Sequence, residues 1–231
     1  YFQTGFGHIA GAGLLAPAVM VDLCQFPGNG VANNQASAGL TARAMVRVID
    51  DWADRGIAPP PSNYPRAEDG SLVTLAEYRA QFPAIPNVTL PSALNGLDVL
   101  DFGPGFGPQG GVESRLPPAH GSSYGILVPR PGPDGIATAG IQTMMTRLPL
   151  GTNTGWNVRS AARAPDLCGL DGSFLPFART EADRGGDPRP SLQARYTDKA
   201  GFAAAEQKAA AQLVQERFML KVDADKFDAA A

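Results

Sequence analysis

The sequence predicts a mixed α/β chain with few regular elements, and three observations predict it. Two segments carry helical spacing of apolar residues, and a third carries the short apolar run of a strand. The 27 Gly and 21 Pro among 231 residues amount to about a fifth of the chain, against roughly 12% in average usage. Turns and extended loops must therefore fill the space between the elements. Charged residues make up only 18% and hydrophobic ones 44%, where an ordinary domain is roughly 25% charged, so much of the surface is expected to lie against protein rather than water.

The first informative passage is Thr4-Gly5-Phe6-Gly7-His8-Ile9-Ala10-Gly11-Ala12-Gly13. Its glycines open backbone angles closed to other residues, which marks a functional loop, and residues 1–4 read as the tail of a strand leading into it. A dinucleotide-binding reading of Gly11-Ala12-Gly13 fails, because Pro17 stops the helix that such a site requires. The chain starts at Tyr1 in an apolar, Gly-rich passage, which reads as a piece of a longer polypeptide or as the remnant of a protease site.

Residues 37–55 form one amphipathic helix. Leu40, Met45, Val46, Ile49, Trp52 and Ala53 recur at three- and four-residue steps, with Arg43, Arg47, Asp50, Asp51 and Asp54 mostly between them. Asn33, Asn34 or Ser37 supplies the cap, and Gly56 with Pro59, Pro60 and Pro61 stops it. From 59 to 131 prolines recur every few residues. A short helix fits 75–82, a strand fits 124–128, and the linker-like 103–111 reads as a mobile loop. A last helix is expected over 198–218, capped by Asp198, favoured by the alanines of 203–211, and packed through Phe202, Leu213, Val214 and Phe218. A further helical turn fits 223–230.

Composition and spacing exclude several function classes. A net charge of -3 gives no basic footprint for nucleic acid. No run of 18 apolar residues offers a membrane span. Cys24 and Cys168 cannot build a disulfide framework or a four-cysteine zinc site; they are either one long-range bond or two free thiols. No metal-ligand spacing occurs, and no cofactor or metal is expected.

His8 is the leading chemical candidate, because imidazole moves protons near neutral pH and here it stands in a glycine loop before a helix. The alternative is a structural, hydrogen-bonded histidine. Gly121-Ser122-Ser123-Tyr124-Gly125 matches the serine-nucleophile pattern literally, yet that pattern works only where a strand turns sharply into a helix, and Pro117, Pro118 and Pro129 flank this one. His120, beside those prolines, reads as a loop residue unless it pairs with Ser123. Trp156, with Thr154, Asn157 and Arg159, either lines a substrate pocket or covers core.

Taken in order, several blocks carry a resemblance: Gly5-Phe6-Gly7-His8, Cys24-Gln25, and the helix end Val48-Ile49-Asp50-Asp51-Trp52-Ala53-Asp54-Arg55-Gly56. Further along come Phe82-Pro83-Ala84-Ile85-Pro86, Leu148-Pro149-Leu150-Gly151-Thr152, Thr154-Gly155-Trp156-Asn157, Gly172-Ser173-Phe174-Leu175-Pro176-Phe177 and Gly186-Asp187-Pro188-Arg189-Pro190-Ser191. Together they resemble the C-terminal part of the large bacterial α/β-hydrolase domain proteins, and the His loop with its Trp-containing helix is also similar to tannases and feruloyl esterases. The segment 12–30 departs from that pattern by being longer and richer in Gly and Ala.

The resemblance implies an α/β class: the C-terminal portion of an α/β-hydrolase fold over 1–60, comprising last strand, His loop and closing helix. A Pro/Gly-rich, mostly irregular extension over 61–231, with its C-terminal helix, then wraps the core. It also implies a serine hydrolase of carboxylic esters with His8 as the triad histidine. The serine and the Asp or Glu would come from an upstream segment or companion chain, the substrate would be a small ester, and no nucleic acid would be bound. The rival reading is a non-catalytic subunit or binding module that packs on a partner chain.

Overall fold

The computed structural model describes residues 1–6, 39–158 and 172–228. Helix α1 (Gly39–Arg55) stands where the apolar spacing places it. It ends in a glycine turn: the Gly56 amide donates to the Trp52 carbonyl (3.1 Å) and the Ile57 amide to that of Asp51 (3.2 Å). The side it buries differs from the expected one. Thr41, Ala44 and Val48 face inward, whereas Val46 (68% exposed), Ile49 (60%) and Trp52 (58%) meet solvent. The described residues cover only the flank of the apolar arc, because only Leu40 and Met45 of the stripe reach the neighbouring helices.

Those neighbours come from the C-terminal end. Helices α4 (Leu192–Tyr196), α5 (Lys199–Gln215) and α6 (Lys221–Asp228) follow one another, and Asp198 caps α5 by accepting the Gly201 amide at 2.8 Å. Ala209, Ala210, Leu213, Phe218, Met219 and Ala224 pack against Ile141 and Met144, the latter on the short helix α3 (Met144–Arg147). Arg43 of α1 reaches the fully buried Asp223 of α6 at 2.8 Å. No described helix is long and apolar enough to cross a membrane.

Among the described residues the strands form three separate antiparallel pairs: β1 (Leu72–Val73) with β4 (Val128–Pro129), β2 (Asp98–Asp101) with β3 (Ala119–Ser123), and β5 (Gly151–Asn153) with β6 (Phe174–Pro176). The expected strand over 124–128 is not formed as one element: β3 ends at Ser123 just before it, and β4 begins only at its last residue, Val128. Each obtains its ladder from a different partner, and backbone pairing overrides the local apolar run. The linker-like 103–111 is folded into turns, closed by the amides of Gln109 to Gly105 (2.9 Å) and Gly111 to Phe106 (2.7 Å). Helix α2 (Leu75–Gln81) starts with a capping box, in which Thr74 and Glu77 each hold the other's main-chain N–H. It places Tyr78 and, just beyond its end, Phe82 in a second core cluster with Val73 and Leu175, flanked by Val128 and Trp156.

One buried cation joins the β5/β6 pair to the turn that follows. The Arg189 guanidinium holds the Asp187 carboxylate (2.6–3.1 Å), the Thr152 hydroxyl (2.8 Å) and the carbonyls of Leu175 (2.9 Å) and Pro176 (3.1 Å). Phe177 lies beneath it, 4.9 Å from the guanidinium carbon, and Arg195, paired with Asp134, stacks on the same ring at 4.0 Å. Burial pushes the Asp187 carboxyl upward, but the Arg189 side-chain and main-chain bonds and its charge outweigh that, leaving it below the usual carboxylate range. Arg189→Ala should cost about 3–5 kcal/mol in denaturant unfolding by leaving the carboxylate and carbonyls buried and unpaired. Because the folded Asp187 pKa is depressed, the pair's contribution is complete above the unfolded value of about 4 and is lost as pH falls through the folded one. The variant's acid limb should therefore be shallower than the wild type's.

Candidate active site

The N-terminal segment is held at both edges by backbone groups. Gln3 bridges Ile141 in parallel; the Thr4 amide donates to the Ile141 carbonyl (3.1 Å) and the Ile141 amide to that of Phe2 (2.6 Å). Thr4 is wholly buried, its hydroxyl 3.1 Å from both Thr146 Oγ1 and Gln142 Oε1. On the other side the Phe2 amide donates to the Asn63 carbonyl (2.9 Å), and the Asn63 side chain exchanges hydrogen bonds with the Gly140 main chain, both at 3.1 Å.

Two glycines then let the chain leave this frame. Gly5 sits at φ +74°, and a Cβ there would stand 3.1 Å from both the Asn153 carbonyl oxygen and Thr146 Cγ2. A Cβ on Gly155 would come within 2.7 Å of the Phe6 carbonyl oxygen. Phe6, two positions before His8, is thus seated beside the turn that follows β5. His8 itself lies outside the described residues, as do Cys24, Cys168 and Arg159.

The surroundings of that exit are polar and buried. Thr152, Asn153, Thr154, Asn157 and Ser173 are all inside. Thr154 Oγ1 accepts the Ser173 amide (3.0 Å) and donates to the Trp156 carbonyl (2.6 Å), and Ser173 Oγ donates to that same carbonyl (2.9 Å). Asn157 Oδ1 accepts the Val158 amide at 3.0 Å. Asn153 differs, since both its Oδ1 and its Nδ2 are buried without a hydrogen-bond partner among the described residues. The sequence singles out Thr154, Trp156 and Asn157 but passes over Thr4 and Asn153. The signal for Asn153 was its place between glycines in Gly151-Thr152-Asn153-Thr154-Gly155, where small polar residues replace an apolar strand.

Trp156 is tied to the core on its polar edge. Its indole N–H donates to the Tyr78 hydroxyl at 2.7 Å, and its ring meets Phe82 edge-on at 5.7 Å. Burial holds the Tyr78 phenol above its ordinary value, and the indole bond draws it partly back.

Ser123 and His120 do not form a nucleophile and base. Ser123 Oγ donates to Asp98, and His120 Nδ1 lies 3.0 Å from the other Asp98 oxygen. The Ser123 hydroxyl, followed by His120, keeps the Asp98 carboxyl below its usual range. Both residues lie on the exposed strand β3, with no helix after it to form the strained elbow that a nucleophilic serine needs. Among the described residues no group of three or more His, Cys, Asp or Glu could hold a metal ion.

Residues 7–229 match the family described as alpha/beta hydrolase domain. The chain belongs to that family. Neither the curated proteins nor the solved structures give a match. Membership of the alpha/beta hydrolase domain family indicates hydrolase chemistry in general, and the mixture of helices with small strand pairs is consistent with an α/β class.

Within this alpha/beta hydrolase chain, core packing and pocket lining at Trp156 predict different outcomes. Trp156→Phe keeps the ring but strands the Tyr78 hydroxyl, and should lower stability by about 1–2 kcal/mol in denaturant unfolding. A substrate-contacting Trp156 would in addition raise KM, which steady-state kinetics on the same variant would register.

Proposed function

We propose that this chain supplies the general base of a serine hydrolase acting on carboxylic esters, with His8 as that base. The observation that carries the reading is the family match, which runs from residue 7 across His8 and almost to the end of the chain. In such chemistry the imidazole takes the serine proton during attack on the ester carbonyl. It returns that proton to the leaving alcohol, oriented by a carboxylate on its other nitrogen. The serine and the carboxylate belong, in this proposal, to a hydrolase segment upstream or to a companion chain. Residues 1–60 then complete the hydrolase core as the C-terminal portion of its fold, and 61–231 wrap it.

Two features of the described residues support this division. The apolar stripe Val46, Ile49 and Trp52 on α1 is a helix face made for a core, yet solvent covers it. The hydrogen-bonded seat of residues 2–6 gives a base two positions further on a fixed point of departure, which proton transfer at hydrogen-bond distance requires. The rival reading, a non-catalytic module packed on a partner, draws on the β2/β3 hairpin, where Leu97, Leu116 and Tyr124 are largely exposed.

A serine-directed fluorophosphonate probe separates the two. Labelling of an associated hydrolase segment supports the esterase, and an unlabelled, folded complex supports the module. The 231-residue chain alone should hydrolyse no ester, and ester hydrolysis by it that His8→Ala abolishes would refute a nucleophile lying elsewhere. In the assembled enzyme His8→Ala should reduce kcat by several orders of magnitude with KM largely kept. A loss below about tenfold would end the assignment of His8 as base.

A further inference from the structure

Asn153 carries the inference, which rests on the proposed hydrolase reading. The residue is 2% exposed, it lies against Gly5 at the point where the chain departs toward His8, and both ends of its carboxamide lack a partner among the described residues. Gln3 Oε1 on the N-terminal segment is also buried without a partner among the described residues, but Asn153 is the side chain here with both its donor and its acceptor unmet, and its other polar neighbours are committed. Thr4 bonds Thr146 and Gln142, Thr154 bonds Ser173 and the Trp156 carbonyl, and Asn157 bonds its own turn. A carboxamide buried without bonds costs free energy that a leucine of similar size would not, so such a group in a well-ordered frame points to a partner acquired in the working state.

The chemistry of that partner follows from the group. An amide offers one acceptor and a pair of donors a little over 2 Å apart, which matches a peptide unit's N–H and C=O and not an ester, which only accepts. We infer that Asn153 is a positioning residue: in the assembled hydrolase its carboxamide bonds a main-chain peptide group and thereby fixes the end of the 1–6 segment that carries the base. It touches neither substrate nor reacting atoms. Its effect passes through Gly5 and Phe6, whose displacement by even about 1 Å would misplace a proton-transfer group by enough to cost about 100-fold in rate.

The test sets stability against catalysis. In the chain alone, Asn153→Leu should leave the thermal midpoint unchanged or raise it by about 2–4 °C, because it removes an unpaired buried amide. In the assembled enzyme the same variant should lower kcat by about 10- to 100-fold with KM little altered, and Asn153→Asp, which keeps the acceptor but not the donor, should fall between. The thermal arm remains readable if Asn153→Asp fails to fold. A fall of several degrees in the midpoint of Asn153→Leu would show that the amide is bonded within the chain and overturn the inference. So would full kcat in the assembled Asn153→Leu enzyme when His8→Ala is inactive. Full activity of His8→Ala would instead remove the hydrolase reading itself, a result distinguishable because the thermal arm does not depend on it.

Discussion

The guanidinium of Arg189 is the constraint around which this half of the molecule is arranged. Five N–H donors in a rigid fork are placed among one carboxylate, one hydroxyl and two strand carbonyls, with Phe177 closing the face. A cation so buried is tolerable only because each donor direction is met. That requirement fixes β6 relative to Thr152 of β5, and Thr152 fixes its neighbour Asn153 beneath Gly5. Three blocks separated in sequence, at 148–152, 172–177 and 186–191, meet here. In a chain with three two-stranded pairs and no larger sheet among its described residues, such side-chain to main-chain bonds take over part of what a continuous ladder does elsewhere.

The same logic explains why the inside of the molecule is unusually polar near the point where the chain runs on from Phe6. Short strands and tight turns leave backbone groups without ladder partners, and Thr4, Thr154, Asn157 and Ser173 supply hydroxyls and amides to them. The apolar work is done in two other places: the α3/α5/α6 cluster and the Tyr78, Phe82, Leu175 cluster. The polar frame lies against both, since Ile141 and Thr146 flank Thr4 and Trp156 bridges to Tyr78. It is therefore rigid without being greasy, a combination suited to holding a proton-transfer group in register.

The outward-facing surfaces tell the complementary story. The α1 stripe and the β2/β3 hairpin, which bears Val99, Leu100, Phe106 and Val112 as well as Leu97, Leu116 and Tyr124, together expose a large share of the bulky apolar side chains. Two-stranded hairpins alone are marginal in water. Both surfaces gain a physical reason in the proposed assembly, where a hydrolase core covers them.

Local chemistry determined the helices. The three- and four-residue apolar spacing of α1, the Asp198 cap and alanine run of α5, and the stop at Gly56 are all short-range, so they are readable from residue order. The Thr74–Glu77 capping box was equally legible, and family membership followed from ordered blocks along nearly the whole chain. Tertiary structure alone decided which side of α1 is covered, where β3 and β4 fall, that Ser123 and His120 both turn to Asp98, and that Arg189 and Asn153 occupy the polar interior. Those outcomes depend on contacts between residues tens of positions apart, and no periodicity or cap encodes which distant carbonyl a guanidinium will meet. The nature of each segment is written locally, and its partner is chosen by packing.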